Sequence, residues 1–172
     1  MFITDKKIEP IPFSYLPAGL DICSWDSVQE FLESICASDT STAKALEELV
    51  LKYSDLMKAM ADELSWRYIK MSIDADDSSK ADAYNEYFAD VYAPTEAYQF
   101  RIKKLYYDSP AKDKLDKQKY ALLDQIFAKD IKLFREENIA LQIQESELAN
   151  KYGGIVSQMS AHFDGEDKIH YH

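Results

Sequence analysis

Three histidines, His162, His170 and His172, are the only imidazoles in the chain. On an extended segment His170 and His172 fall on one face, and a turn at Asp164-Gly165 brings His162 opposite them. Imidazoles so arranged hold zinc or copper. A solvated terminus that carries histidines accounts for the same residues without a metal, and it is the reading adopted. No HExxH occurs, so no helix sets two imidazoles one turn apart beside a glutamate base. Cys23 and Cys36 stand 13 positions apart. A cysteine nucleophile needs a neighbouring base, and the histidines all lie at the far end of the chain. Two free, buried thiols are the simpler expectation.

Asp74, Asp76 and Asp77 have the density of a calcium loop. Counted from Asp74, however, Ser79 stands where the loop needs glycine and Asn85 where it needs glutamate. A solvated connection between helices is expected instead. Gly153-Gly154 is the only glycine pair, and no lysine-serine follows it as in a phosphate loop, so it reads as a helix stop. Arg101, Lys103, Lys104, Lys112, Lys114, Lys117 and Lys119, with Tyr106 and Tyr107, form a basic aromatic stretch. In an acidic chain this is a solvated helix face rather than a nucleic-acid site. Arg135-Glu136-Glu137 reads as helix-surface pairing. No catalytic, cofactor-binding or metal-binding residue is assigned.

The elements that hold these residues follow from composition. The chain has 172 residues with 4 glycines and 5 prolines, which favours long helices over a many-stranded sheet. Its net charge is −11, which disfavours nucleic acid and anionic membranes as partners. No apolar run reaches the length of a membrane span. The N-terminus, Met1 to Lys7, carries no secretion signal, so the cytoplasm is the expected compartment.

The fold class is mainly α. An elongated antiparallel bundle of about five helices is expected as a single domain over 1–172. Residues 1–22, with Pro10, Pro12 and Pro17, form an extended arm anchored by Ile8, Ile11, Phe13, Tyr15 and Leu16. The bundle covers 24–152, beginning at an N-cap at Ser24. The second helix is the clearest. Leu46, Val50, Tyr53, Met57, Met60, Leu64, Tyr68 and Met71 step by 4, 3, 4, 3, 4, 4 and 3, one stripe along its whole length. Ser79 and Asp82 suggest a capping box for a third helix over 80–107, kinked at Pro94. Ser109-Pro110 starts a fourth over 115–137, and a fifth over 141–152 ends at the glycines. From Ile155 the apolar period becomes two, and Asp164-Gly165 predicts a hairpin over 155–172. The expected core is Val50, Tyr53, Met57, Met60, Leu64, Tyr68, Phe88, Val91, Leu123, Ile126, Phe127 and Phe134, with Trp25 and Trp66 anchoring the arm and first helix.

Several segments together resemble one family. Tyr15-Leu16-Pro17 followed by Ser24-Trp25-Asp26 is similar to the opening of oligoendopeptidase F-type zinc metallopeptidases. Leu64-Ser65-Trp66-Arg67-Tyr68-Ile69-Lys70-Met71 resembles a second segment of that family. Ala83-Tyr84-Asn85, Pro94 and Ser109-Pro110 follow in order. Leu133-Phe134-Arg135-Glu136-Glu137-Asn138-Ile139, then Lys151-Tyr152-Gly153 and His162-Phe163-Asp164-Gly165, form the closest match. Ala140 stands where the family often has proline, and Glu166 to His172 departs from it, which suggests truncation, a frameshift or an engineered end.

The resemblance implies the N-terminal lobe of a longer enzyme. In the family the zinc ligands, including HExxH, belong to the C-terminal half, so no catalytic residue carries over and the cofactor of this chain is none. The lobe walls a channel that admits short peptides. The expected partners are the missing catalytic zinc half and, through it, short peptides. Self-association through exposed apolar faces is a further expectation. The alternative function is a stand-alone helical module that binds peptides or a protein.

Overall fold

A computed structural model describes residues 13–74, 76–163 and 166–169, with the backbone alone at 160–163 and 166–169. Ile8 and Ile11 of the expected arm, the Asp164-Gly165 turn, His170 and His172 lie outside the described residues. The chain is mainly helical: α1 is Trp25–Cys36, α2 Ala43–Ile73, α3 Ser78–Tyr87, α4 Thr95–Tyr107, α5 Lys117–Leu133 and α6 Asn138–Ser157. A π-helical segment, Phe88–Tyr92, joins α3 to α4, and a 3-10 turn, Lys112–Lys114, precedes α5. Ser160–Phe163 (β1) and Glu166–Ile169 (β2) pair antiparallel, with Ser160 opposite Ile169.

Side-chain caps start three of the six α-helices, while Ser24 precedes α1 without a side-chain cap bond. Thr42 Oγ1 accepts from the Ala45 amide and starts α2. Asp77 starts α3 by accepting from the Ser79 amide, so the cap lies two residues before the Ser79 expected from sequence. Asp116, and not Ser109, caps α5, accepting from the amides of Gln118 and Lys119. Ser109 is buried instead. Its hydroxyl donates to Thr40 O (2.6 Å) and accepts from the Ala111 amide (3.0 Å), tying two loops together.

The expected single helix over 80–107 is broken around Pro94. Proline has no N–H to continue the ladder. Just before it, the Ala93 amide reaches back five residues to Phe88 O (2.8 Å), so the ladder widens into the π segment. Thr95 is buried and donates to Tyr92 O (2.6 Å). Tyr84, Phe88 and Tyr92 recur every fourth residue and stack in sequence, with centroids 6.3 and 5.9 Å apart.

The core gathers Val28, Leu32 and Ile35 from α1, Leu46, Leu49, Leu56 and Met60 from α2, Ile102 and Tyr106 from α4, and Tyr120 and Phe127 from α5. Leu16, Leu20 and Ile22 of the leading segment lie against it. Several expectations are corrected here. Tyr68, Ile126 and Trp66 are exposed. On α2, α3 packs along only one side of the C-terminal half, where Tyr68 meets Tyr84 edge-on, and leaves the other side open. Trp25 does anchor α1, meeting Tyr98 edge-on at 6.0 Å. The helix expected to stop at Gly153-Gly154 runs on to Ser157, so 155–157 are helical rather than extended. Glycine lowers helix stability by about 1 kcal/mol against alanine but does not forbid the helix. The chain's one positive-φ glycine among the described residues is Gly19, at 84°.

Candidate functional site

The residues singled out for chemistry disperse. Only the backbone of His162 is described, where it pairs with Asp167 across the two strands. Asp74 and Asp77 both pair with Lys80, and Asp77 is also the α3 cap, so these carboxylates are held by a lysine and by amides. Both cysteines are free. Cys23 is exposed, contrary to the expectation of a buried thiol, and lies 3.6 Å from Arg67 Nη2. Cys36 is half-buried, and burial pushes its thiol pKa above the ordinary value, with Arg101 opposing. Among the described residues no group of three or more His, Cys, Asp or Glu is placed to hold a metal ion.

Much of the basic stretch is paired with carboxylates, although Lys114 and Lys117 make no ion pair among the described residues. Lys103 bonds Asp130 (2.8 Å), Lys112 meets Asp124 (3.5 Å), and Lys119 bonds Glu47 (2.5 Å). Arg101 stacks over Tyr98. With most of its lysines facing carboxylates, the stretch is a poor match for a phosphate-tracking stripe.

A different set of residues converges. Where α4, the end of α5 and the start of α6 meet, the chain leaves a cleft of about 320 Å³. Tyr92, from the π segment, stands at its edge, and Phe100 and Phe134 stack in its wall with centroids 4.5 Å apart. Two carboxylates, Glu96 and Asp130, and two cations, Lys103 and Arg135, line the same space.

Each charge has a position set by the fold. Lys103 and Asp130 neutralise one another across α4 and α5, with only 13% of the lysine side chain exposed. Glu96 is half-buried in the first turn of α4. The Gln142 amide, its NH₂ turned toward the carboxylate, donates to both oxygens (2.5 and 3.1 Å). Burial raises the Glu96 pKa, with the Gln142 bond and the Lys103 charge opposing. Arg135 is exposed and follows α5, where its Nη1 donates to Lys132 O (3.2 Å) and Phe134 O (2.6 Å). It therefore caps a helix rather than pairing with Glu136 or Glu137 as expected. Its remaining N–H groups make no hydrogen bond among the described residues.

The model of the Peptidase M3 N-terminal domain matches residues 21–134. The chain belongs to this family. The match takes in α1 to α5, and with them most of the cleft. The Peptidase M3 N-terminal domain is here a helical scaffold with a mixed-charge cleft, completed beyond the matched residues by Arg135, Asn138 and Gln142. No curated protein and no solved structure matches the chain. No helix among the described residues is long and apolar enough to cross a membrane.

Only one wall of the cleft was visible beforehand, as the Leu133 to Ile139 segment. Glu96, Phe100 and Gln142 carry no signal in the sequence, and Lys103 stands out only as a member of the basic stretch. They are separated along the chain, and only the docking of three helices brings them together.

The raised pKa of Glu96 has a signed consequence. The folded state holds the proton at a pH where the unfolded state has lost it, so stability falls as pH rises through that window. At neutral pH the ionised carboxylate is a cost to folding. Glu96→Gln should therefore unfold at a higher urea concentration than the parent at pH 7. The gain should vanish below about pH 4, where the carboxyl is protonated in both states. Urea titrations at both pH values check this, and equal midpoints at pH 7 would refute it.

Proposed function

We propose that this chain is the non-catalytic N-terminal helical lobe of an oligoendopeptidase F-type zinc metallopeptidase. In the whole enzyme it forms one wall of the channel that admits short peptides. The observation that carries this reading is the family match over 21–134, joined to the Leu133 to Ile139 segment that follows the last turn of α5. The zinc belongs to the catalytic half. The described residues offer no ligand set that fits it, so no step of the hydrolysis is assigned to this chain.

The uncovered apolar side chains support the same reading. Trp66, Ile69 and Ile73 on α2 are exposed, as are Leu141, Leu148, Tyr152 and Ile155 on α6. Apolar surface of this extent is what a lobe leaves bare when its neighbour is taken away. The catalytic half is the partner proposed for it. Free thiols at Cys23 and Cys36 fit a reducing, cytoplasmic compartment.

The test compares the 172-residue chain with the product of the longest reading frame that contains it. The chain alone should bind no zinc and cleave no short fluorogenic peptide. The longer product should carry one zinc and cleave the peptide in an EDTA-sensitive way. EDTA-sensitive cleavage by the chain itself would overturn the proposal, as would a reading frame without HExxH.

A further inference from the structure

The cleft between α4, α5 and α6 has a chemistry of its own. Its volume, about 320 Å³, lies at the lower end of the range for small-ligand sites. Its lysine is already spent on Asp130 (2.8 Å). That leaves one carboxylate, Glu96, and one cation, Arg135, whose charges are not cancelled by an ion pair among the described residues. Phe100, one turn along α4 from Glu96, stacks on Phe134, the neighbour of Arg135 in the connection after α5. Burial still outweighs the Gln142 bond and the Lys103 charge at Glu96, so a further cation beside this carboxylate would stabilise its ionised form. A guanidinium fork with unspent donors suits a carboxylate.

We propose that this cleft binds a small zwitterion with an apolar side chain, either a free amino acid or a short peptide with free ends. Its ammonium meets Glu96, its carboxylate meets Arg135, and its side chain lies on the Phe100 and Phe134 rings. Gln142 holds the Glu96 carboxylate in place, and the Lys103–Asp130 pair fixes α4 against α5 beneath the ligand. The proposal concerns this chain alone and stands whether or not a catalytic half completes it.

The test uses the whole 172-residue chain and four probes: the dipeptide Leu-Phe, its N-acetyl form, its C-terminal amide, and free phenylalanine. Calorimetry gives affinity, and amide chemical shifts give location. Leu-Phe should bind with a dissociation constant of the order of 10⁻⁴ M, with shifts confined to the segments around Tyr92 to Lys103 and Asp130 to Gln142. Acetylation or amidation should each weaken binding about tenfold. Glu96→Gln should weaken Leu-Phe about tenfold and leave the N-acetyl form unchanged. Arg135→Gln should act in the same way on the carboxylate end and leave the amide unchanged. If Arg135→Gln loosens the end of α5, the Glu96 arm still decides. Phenylalanine binding as tightly as Leu-Phe marks a single amino acid as the ligand, and weaker binding marks a peptide. No binding at about 10 mM, equal affinity for the blocked forms, or shifts centred elsewhere would overturn the proposal.

Discussion

Phe127→Ala should destabilise the chain by about 3–5 kcal/mol, the usual cost of emptying a buried phenylalanine site. Phe127 is 3% exposed and is the hub of an aromatic cluster. Tyr106 of α4 meets it edge-on at 5.3 Å and Tyr53 of α2 at 6.0 Å, while the Lys103 ammonium stands 5.8 Å over its ring. Three helices therefore lose a common contact when the ring goes. Tyr106 keeps its bond to Asp124 (2.9 Å), so the cavity cannot close by a simple swing of the tyrosine. Domains of this size have only about 5–15 kcal/mol in total, so the loss is a large fraction. Urea denaturation followed by circular dichroism measures it. Leu122→Ala, on the exposed face of the same helix at 68% exposure, should change stability by less than about 0.5 kcal/mol. Equal costs at the two positions would show that α5 does not dock through Phe127. Asp130, Leu133 and Phe134 lie on this helix or at its end, so the Phe127 variant should also lose the cleft.

The α2 stripe shows what periodicity can and cannot tell. Leu46, Val50 and Met60 are buried as the spacing requires. Yet the buried set also takes in Leu49, Leu56 and Ala59, so the core-facing line is turned from the expected one, and burial stops after Met60. Tyr68 is 52% exposed. A repeat identifies which face of a helix is apolar, not how much of that face a neighbour covers. Covered and uncovered halves have the same sequence signature. The π segment was hidden for a related reason: Pro94 announces a break, but which carbonyl the preceding amide chooses depends on how α3 and α4 are held. The glycine pair misled because glycine permits a helix end without requiring one. Of the cleft, Arg135 and its neighbours were visible as a segment, whereas Glu96 and Gln142, 46 positions apart, meet only through the docking of α6.

That docking is itself unusual, and it leads to the second large effect. No side chain of α6 is fully buried. The helix is tied to the body by amides, Gln142 to Glu96 and Asn150 to Asn85 (2.6 Å). Meanwhile Leu141, Leu148, Tyr152, Ile155 and, just past its end, Met159 are 59–70% exposed. Their steps of 7, 4, 3 and 4 give the spacing of a coiled-coil seam. In isolation the chain should therefore self-associate through this seam, against the repulsion of two bodies of charge −11 each. Salt screens the repulsion and leaves the apolar contact, so association should strengthen from about 0.05 to 0.5 M NaCl. Leu148→Glu with Ile155→Glu removes two apolar side chains from each copy, four in all at about 1.5 kcal/mol each, and should weaken association about 10⁴-fold. Ser54→Glu with Gln118→Glu adds the same charge at exposed positions away from the seam and should have a far smaller effect. Light scattering over a concentration series reads all three. A parent that stays monomeric at every concentration and salt would sink the idea, as would equal association of the two double variants. If the longer product described above is monomeric with α6 protected from hydrogen exchange, the seam is covered there by the added chain. Self-association of the shorter chain would then be that same contact made with the wrong partner.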